Sequence, residues 1–382
     1  MSRKICVITG TRADYGILYP VMKAIEGSGK AKLFVIATSM HLMKEFGHTV
    51  DQIKRDGFKI YEKVDVSYKD DTGQAMAYSI GQSVCAFSKT FQRLKPDVVM
   101  LLGDRGEMLA AAIAASYMNI PVTHIHGGEI SGHVDGIVRH ALTKLSHLHF
   151  AATKEARQRI IRLGEEPWRV KVTGAPALDR ILNGHATSKK ELVKKYKLDL
   201  SKPLAILLQH PLSSNIVDAS KQIVESVAAV TDLKIPTVIL YPNADAGGRA
   251  MIKSLSKFKD HPLLKHFKSI SQEDYFGLLR IASVLVGNSS SGIIEAASFR
   301  LGVVNVGDRQ KGRQHASNVL DARHDREDIK KAVRKVLNDT QFKKRLARCQ
   351  NIYGDGKAAQ RIVGFLTSVS LDGRLLTKQI TY

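Results

Sequence analysis

With 382 residues, 44% of them apolar and 25% charged, the chain has the balance of a globular protein and is long enough for two cores rather than one. It holds no apolar run near the ~20 residues of a membrane span, and its three scattered cysteines, Cys6, Cys85 and Cys349, make neither a disulfide framework nor a cysteine metal site, so a cytoplasmic protein with no membrane partner is expected. The formal charge of +22 admits a nucleic-acid binder, but no stacking-aromatic, zinc-finger or glycine-clamp module accompanies it; no nucleic acid is expected, and the excess serves to draw in a small polyanion.

The first apolar run, Lys4–Thr9, is too short for the core of a signal peptide and predicts a buried strand. It ends in Gly10-Thr11-Arg12-Ala13-Asp14-Tyr15-Gly16, which is neither a P-loop nor a dinucleotide loop. A glycine turn with Arg12 at a helix start either holds phosphate or is an ordinary strand-to-helix turn. A helix over Ile17–Glu26, a strand over Lys32–Thr38, a helix over Gln74–Leu94 and a strand over Asp97–Gly103 follow. Asp104 comes next, capping the helix Gly106–Met118 or facing a site. The strand Val122–Ile125 runs into His124-Ile125-His126-Gly127-Gly128-Glu129. Two histidines and a glutamate invite a metal reading, but the histidines alternate along a strand and no downstream H-x-x-x-H completes a ligand set, so no metal is expected. The glycine pair lets the backbone bend so that Glu129 turns into a cleft. Asp135 and Arg139 stand four apart on one face of the helix Gly136–Ser146. Asp104, Glu129 and Asp135 therefore all lie past strand ends or at helix starts, and three carboxylates brought together are costly unless they do acid–base work or face cations. The strand Leu148–Ala152, the helix Lys154–Leu163 and the strand Val170–Thr173 complete this series.

A charged, breaker-rich stretch from Asn183 to Pro203 separates it from a second one. Strands at Leu204–Leu208, Thr237–Leu240, Ser283–Val286 and Val303–Val306 again alternate with helices. Gln209-His210-Pro211 follows the first of them and Tyr241-Pro242-Asn243-Ala244-Asp245 the second. Past the third lies Asn288-Ser289-Ser290-Ser291-Gly292, opening a helix that carries Glu295 about one turn in. Serine hydroxyls and N–H groups at a helix start suit a diphosphate, and Glu295 suits a ribose diol taken by both oxygens. Arg309, Lys311 and Arg313 add cations beside that turn. The densest basic stretch, Arg326 to Arg348, has apolar residues at Ile329, Val333, Val336 and Leu337, the pattern of a helix with a solvated basic face. Near-continuous apolar strands alternating with helices indicate parallel sheets covered on both faces. The fold expected is α/β, with two Rossmann-like domains facing a central cleft, residues 1–175 and 176–357, and ligands beyond the carboxyl ends of the strands.

Taken together these segments resemble the hydrolysing UDP-N-acetylglucosamine 2-epimerases of sialic- and legionaminic-acid biosynthesis. The matching pieces are T-G-T-R-A-D-Y-G, G-D-R, H-I-H-G-G-E-x-S-G, D-x-x-x-R-H-A-x-T-K-x-S-H, V-T-G-A-P-A-L-D, Q-H-P, Y-P-N-x-D-A-G, G-N-S-S-S-G-x-x-E and V-G-D-R-Q-x-G-R, in order along nearly the whole chain. The resemblance implies a glycosyltransferase-B-like architecture whose C-terminal helix, here about 358–382, packs back onto the first domain. It implies Asp104, Glu129, Asp135 and His210 as catalytic residues, and Arg12, Arg139, Asn243, Ser289, Ser290, Ser291, Gly292, Glu295, Arg309 and Arg313 as substrate-binding ones. Where the family usually has a second acidic residue after Asp135, this chain has Gly136.

The implied reaction needs no cofactor. Loss of UDP from C1 builds positive charge on the sugar ring, a carboxylate removes the C2 proton, and the resulting glycal is protonated on the other face and hydrated. UDP-N-acetylglucosamine giving UDP and N-acetylmannosamine is the first expectation. UDP-N,N′-diacetylbacillosamine is the alternative substrate, a non-hydrolysing epimerase the alternative course, and a glycosyltransferase or a nucleotide-sugar sensor the rival class. The partner is a UDP-sugar, and a homodimer or homotetramer is expected.

Overall fold

The computed structural model describes residues 2–66, 72–130, 134–182, 186–211, 218–242 and 245–381, with the backbone alone at 134 and 135. Its strands are β1 (Arg3–Thr9), β2 (Ala31–Thr38), β3 (Ile60–Val64), β4 (Val98–Leu102), β5 (Val122–Ile125), β6 (Leu148–Ala151), β7 (Val170–Val172), β8 (Ala205–Leu208), β9 (Thr237–Leu240), β10 (Leu264–Phe267), β11 (Val284–Gly287), β12 (Val303–Val306) and β13 (Val319–Ala322). They form two parallel sheets in two compact units: residues 1–129, 134–182 and 353–382 in the first, 130–133 and 183–352 in the second. The chain is thus a pair of α/β units, the fold class its alternating pattern predicts.

In the first unit the strand order is β3-β2-β1-β4-β5-β6-β7. Alternate residues of β1 go to opposite faces, as the strand period of two demands. Ile5 and Val7 join Leu18, Val21 and Met22 of the helix Arg12–Gly27 and Ile362 of the helix Ala358–Ser368. Cys6 and Ile8 join Phe87, Phe91 and Met108 on the other side. Each such side chain, wholly removed from water, contributes roughly 1.5–3 kcal/mol.

The second unit repeats the plan in the order β10-β9-β8-β11-β12-β13, with a core of Ile223, Val227, Ile239, Val286, Val304 and Val333. In both sheets the order reverses beside one strand pair, β1/β4 and β8/β11, and the crevice beyond the carboxyl ends at such a switch point is where open α/β sheets place ligands.

The elements differ from expectation in ways with physical causes. The first helix starts at Arg12, not Ile17, because Thr11 and Asp14 form a capping box that nucleates it upstream. The first unit runs on to Leu182 rather than stopping at 175, since the helix Ala177–Leu182 is tied to the returning chain: Asp179 accepts from the N–H groups of Ala358 and Ala359 at 3.0 and 2.7 Å. The crossing itself needs small residues. Gly174, at φ +87°, would bring a Cβ within 3.1 Å of the Tyr353 carbonyl. No described helix is long and apolar enough to cross a membrane.

Candidate functional site

At the first switch point the turn after β1 is closed from within. Asp14 accepts from the N–H groups of Gly10 and Thr11 at 3.0 Å and from the Thr9 hydroxyl at 2.6 Å. Two backbone donors of this turn, the N–H groups of Gly10 and Thr11, are thus taken by this chain's own carboxylate. Burial raises the Asp14 pKa against the opposing pull of those hydrogen bonds. His41 Nε2 stands 2.9 Å from the same Thr9 hydroxyl, and burial holds the imidazole down at about 3, hence neutral. The Thr9 hydroxyl donates to Asp14 and lies beside His41, so the three side chains form a closed hydrogen-bonded set inside the turn.

Past β4, Asp104 keeps 21% of its side chain exposed and pairs with Arg139, whose side chain is 4% exposed. Arg139 also donates to the His126 carbonyl at 2.6 Å. A forked guanidinium that reaches a carboxylate with one arm and a backbone oxygen with the other fixes both in register. Arg139 was expected to share a helix face with Asp135 and to bind substrate. In the structure it ties the loop after β4 to the loop after β5. The side chain of Asp135 lies outside the described residues.

The loop after β5 is not strand beyond Ile125. His126 sits at φ +64° and Gly128 at φ +74°, a left-handed turn that costs a non-glycine residue of order 1 kcal/mol. The two histidines consequently do not alternate on one strand. His124 is buried and bound through Nε2 to the Gly103 carbonyl at 2.7 Å, and burial lowers it to about 3. His126 Nδ1 lies 2.5 Å from Glu129 Oε1. Glu129, expected to turn into a cleft, is only 3% exposed and lies against His126. A carboxylate set against one ring nitrogen of a histidine orients the other for proton transfer. His126 had drawn attention from the sequence only as a metal ligand; the Glu three residues on was the signal of the pair.

At the second switch point, Asn288 is the organising residue and the sequence did not single it out. Wholly buried, it accepts from the His210 N–H at 2.7 Å and donates to the His210 carbonyl at 3.0 Å. Its own carbonyl receives Arg309 at 3.3 Å and Gln310 at 2.9 Å, and Gln310 accepts from Arg313 at 2.9 Å. His210, Arg309 and Arg313 are thus gathered around the end of β11. Ser289 caps the short helix Ser290–Ile294. The Ser291 hydroxyl lies 2.5 Å from Tyr275 Oη and 2.6 Å from Glu295 Oε2, so one Glu295 oxygen is engaged internally and the two-oxygen clasp of a diol requires Ser291 to turn away. Gly292 is a packing residue: a Cβ there would come within 2.8 Å of Leu285 and 3.0 Å of Val303. Asn243 lies outside the described residues.

Two Rossmann-like sheets, one with Asp104 and Arg139 paired at its switch point and one with a serine turn beside Arg309 and Arg313, define a two-domain α/β protein. The chain belongs to the UDP-N-acetylglucosamine 2-epimerase family, whose sequence profile matches residues 23–367. It is 40% identical over 382 residues, 100% of each chain, to the UDP-N,N′-diacetylbacillosamine 2-epimerase (hydrolyzing) of Legionella pneumophila. It is 36% identical over 324 residues, 84% of each chain, to the GDP/UDP-N,N′-diacetylbacillosamine 2-epimerase (hydrolyzing) of Campylobacter jejuni. Among solved structures, UDP-GlcNAc 2-epimerase from Neisseria meningitidis bound to UDP-GlcNAc shares the fold, with a TM-score of 0.81 at 19% identity over 95% of this chain and 99% of that one.

Proposed function

We propose that the chain is a hydrolysing UDP-sugar 2-epimerase acting on UDP-N,N′-diacetylbacillosamine, rather than on UDP-N-acetylglucosamine as first expected. The observation that carries the choice of sugar is the 40% identity, without truncation of either chain, to the Legionella enzyme of that name. Asp104 and the His126–Glu129 pair, braced by Arg139, supply the acid and the base. The base takes the C2 proton as the C1–O bond to UDP breaks, giving UDP and a 2-acetamidoglycal. A carboxylic acid then returns a proton to C2 on the opposite face, and water adds at C1 with loss of its own proton. The sum is one water consumed, one UDP released and C2 inverted. In the second unit, Arg309, Arg313, His210 and the Ser289–Ser290 turn hold the diphosphate and offset the charge that develops on it, while Glu295 holds the ribose.

Incubation with each UDP-sugar, with UDP and free sugar quantified, tests the reading. UDP-N,N′-diacetylbacillosamine is expected to be turned over with the higher kcat/KM, giving free sugar with deuterium at C2 in D2O. A higher kcat/KM on UDP-N-acetylglucosamine restores the first expectation. A product still joined to UDP makes the enzyme non-hydrolysing, and hydrogen retained at C2 removes the elimination mechanism.

A further inference from the structure

The helix Val134–Leu145 carries Arg139, and what holds the far end of that helix is the C-terminal segment of the chain. Lys378 Nζ donates to the carbonyls of Thr143, Lys144 and Ser146 at 3.2, 2.8 and 2.6 Å, and its ammonium stands 2.7 Å from Glu165 Oε2. A cation at a helix C-terminus satisfies the last carbonyls and faces the negative end of the dipole. Glu165 has no exposed side-chain surface; it is also bound by Lys144 at 2.8 Å and by His149 Nε2 at 3.2 Å. His149 pairs in register with His124 on the neighbouring strand, and His124 holds the Gly103 carbonyl at 2.7 Å, one residue before Asp104.

The segment bearing Lys378 is itself gripped. Arg169, 1% exposed, donates to the carbonyls of Leu375, Arg374 and Thr377 at 2.7, 2.8 and 2.9 Å, and Leu375 is buried in the core. Nothing in the proposed chemistry uses these groups, and burying so much charge for general stability alone is uneconomical.

We propose that Lys378 is a positioning residue, latching the C-terminal segment onto the helix Val134–Leu145 and onto Glu165 so that Arg139 holds Asp104 and the His126 loop in register. The proposal rests on the reading of Asp104 and His126 as acid–base groups. Its test is a comparison of wild type, Lys378→Met, Lys378→Arg and Glu165→Gln, full length, by UDP release from both UDP-sugars and by hydrogen–deuterium exchange. Lys378→Met and Glu165→Gln are expected to lose at least tenfold in kcat with KM within twofold, with faster exchange confined to the helix Val134–Leu145 and the loops after β4 and β5. Lys378→Arg, which keeps the charge and the donors, is expected to recover most of kcat. An unchanged kcat in Lys378→Met overturns the proposal, as does a loss that Lys378→Arg fails to recover and that comes with faster exchange throughout the first unit. Should the wild type release no UDP from either sugar, the functional reading fails, and exchange alone then decides: an unaltered helix in Lys378→Met overturns the latch as well.

Discussion

Replacing Asn288 by alanine removes two hydrogen bonds at once, to the His210 N–H at 2.7 Å and to its carbonyl at 3.0 Å. Leaving a buried backbone group without its partner costs about 1–3 kcal/mol, so the pair amounts to roughly 2–5 kcal/mol, allowing for some re-solvation at the loop. The second unit is of a size for which each kcal/mol moves the midpoint by about 2–4 °C, and its unfolding transition is expected to drop by about 5–15 °C. The transition of the first unit, whose contacts are untouched, stays where it is. Scanning calorimetry of the intact chain reads both, and UDP release at a temperature well below either transition reads the loss of kcat as the His210 loop slackens. An Asn288→Ala protein that melts within a degree or two of wild type, or that loses its first-unit transition instead, would refute the view of Asn288 as the tie between the ends of β8 and β11.

Other expectations follow from the geometry. Arg139→Lys leaves a point ammonium that cannot serve both Asp104 and the His126 carbonyl; kcat for UDP release is expected to fall at least ~10-fold, about 1.4 kcal/mol of transition-state stabilisation, and an unchanged kcat would dismiss the bracing role. Gly128→Ala puts a Cβ 2.2 Å from the Ala156 carbonyl at φ +74°, and a loss of more than about 2 kcal/mol by urea denaturation is expected. Gly364→Ala, in a helix where a Cβ meets nothing within 4 Å, is expected instead to gain roughly 0.5–1 kcal/mol; the opposite sign at either site contradicts the packing described. His41 and His124 are both held at about 3 by burial, below their unfolded value of 6.5. Their neutral forms are favoured in the fold, so stability is full above pH 6.5 and is lost as the pH falls toward 3. At pH 5 each takes away about 2 kcal/mol, and urea midpoints that match at pH 7.5 and 5 would rule this out.

Much of the fold is legible in the sequence because its central strands are apolar throughout: Val98–Leu102 and Val303–Val306 are buried on both faces and read as such. The strands that escape notice, β3, β10 and β13, are all sheet edges. There one side faces solvent, and residues such as Tyr61, Lys63 and Asp321 break the apolar run. The positions of the candidate residues past strand ends follow from the βα pattern, and Asp104, Glu129, His210 and the serine turn lie where it puts them. Their contacts do not follow from it. That Asp14 fills the turn beside Arg12, that Glu129 faces His126, and that Gly292 exists to admit Leu285 and Val303 depend on distances across the sheet, which no local spacing encodes. Asn288 is the clearest omission, an ordinary amide in a serine-rich turn whose partners lie 78 positions away.

The first unit closes its core with residues from both ends of the chain: Leu18, Val21 and Met22 pack with Ile362, Val363 and Leu366. During synthesis the helix Arg12–Gly27 therefore waits for the whole second unit to emerge before its covering helix exists. From Gly27 to the end of the covering helix at Ser368, at roughly 5–20 residues per second, this interval is about 17–70 s. The second unit, continuous in sequence from 183 to 352 apart from a short excursion, is complete first, so the order of folding reverses the order of the chain. The nascent first unit thus has the apolar face of Leu18, Val21 and Met22 uncovered until residues 353–382 arrive.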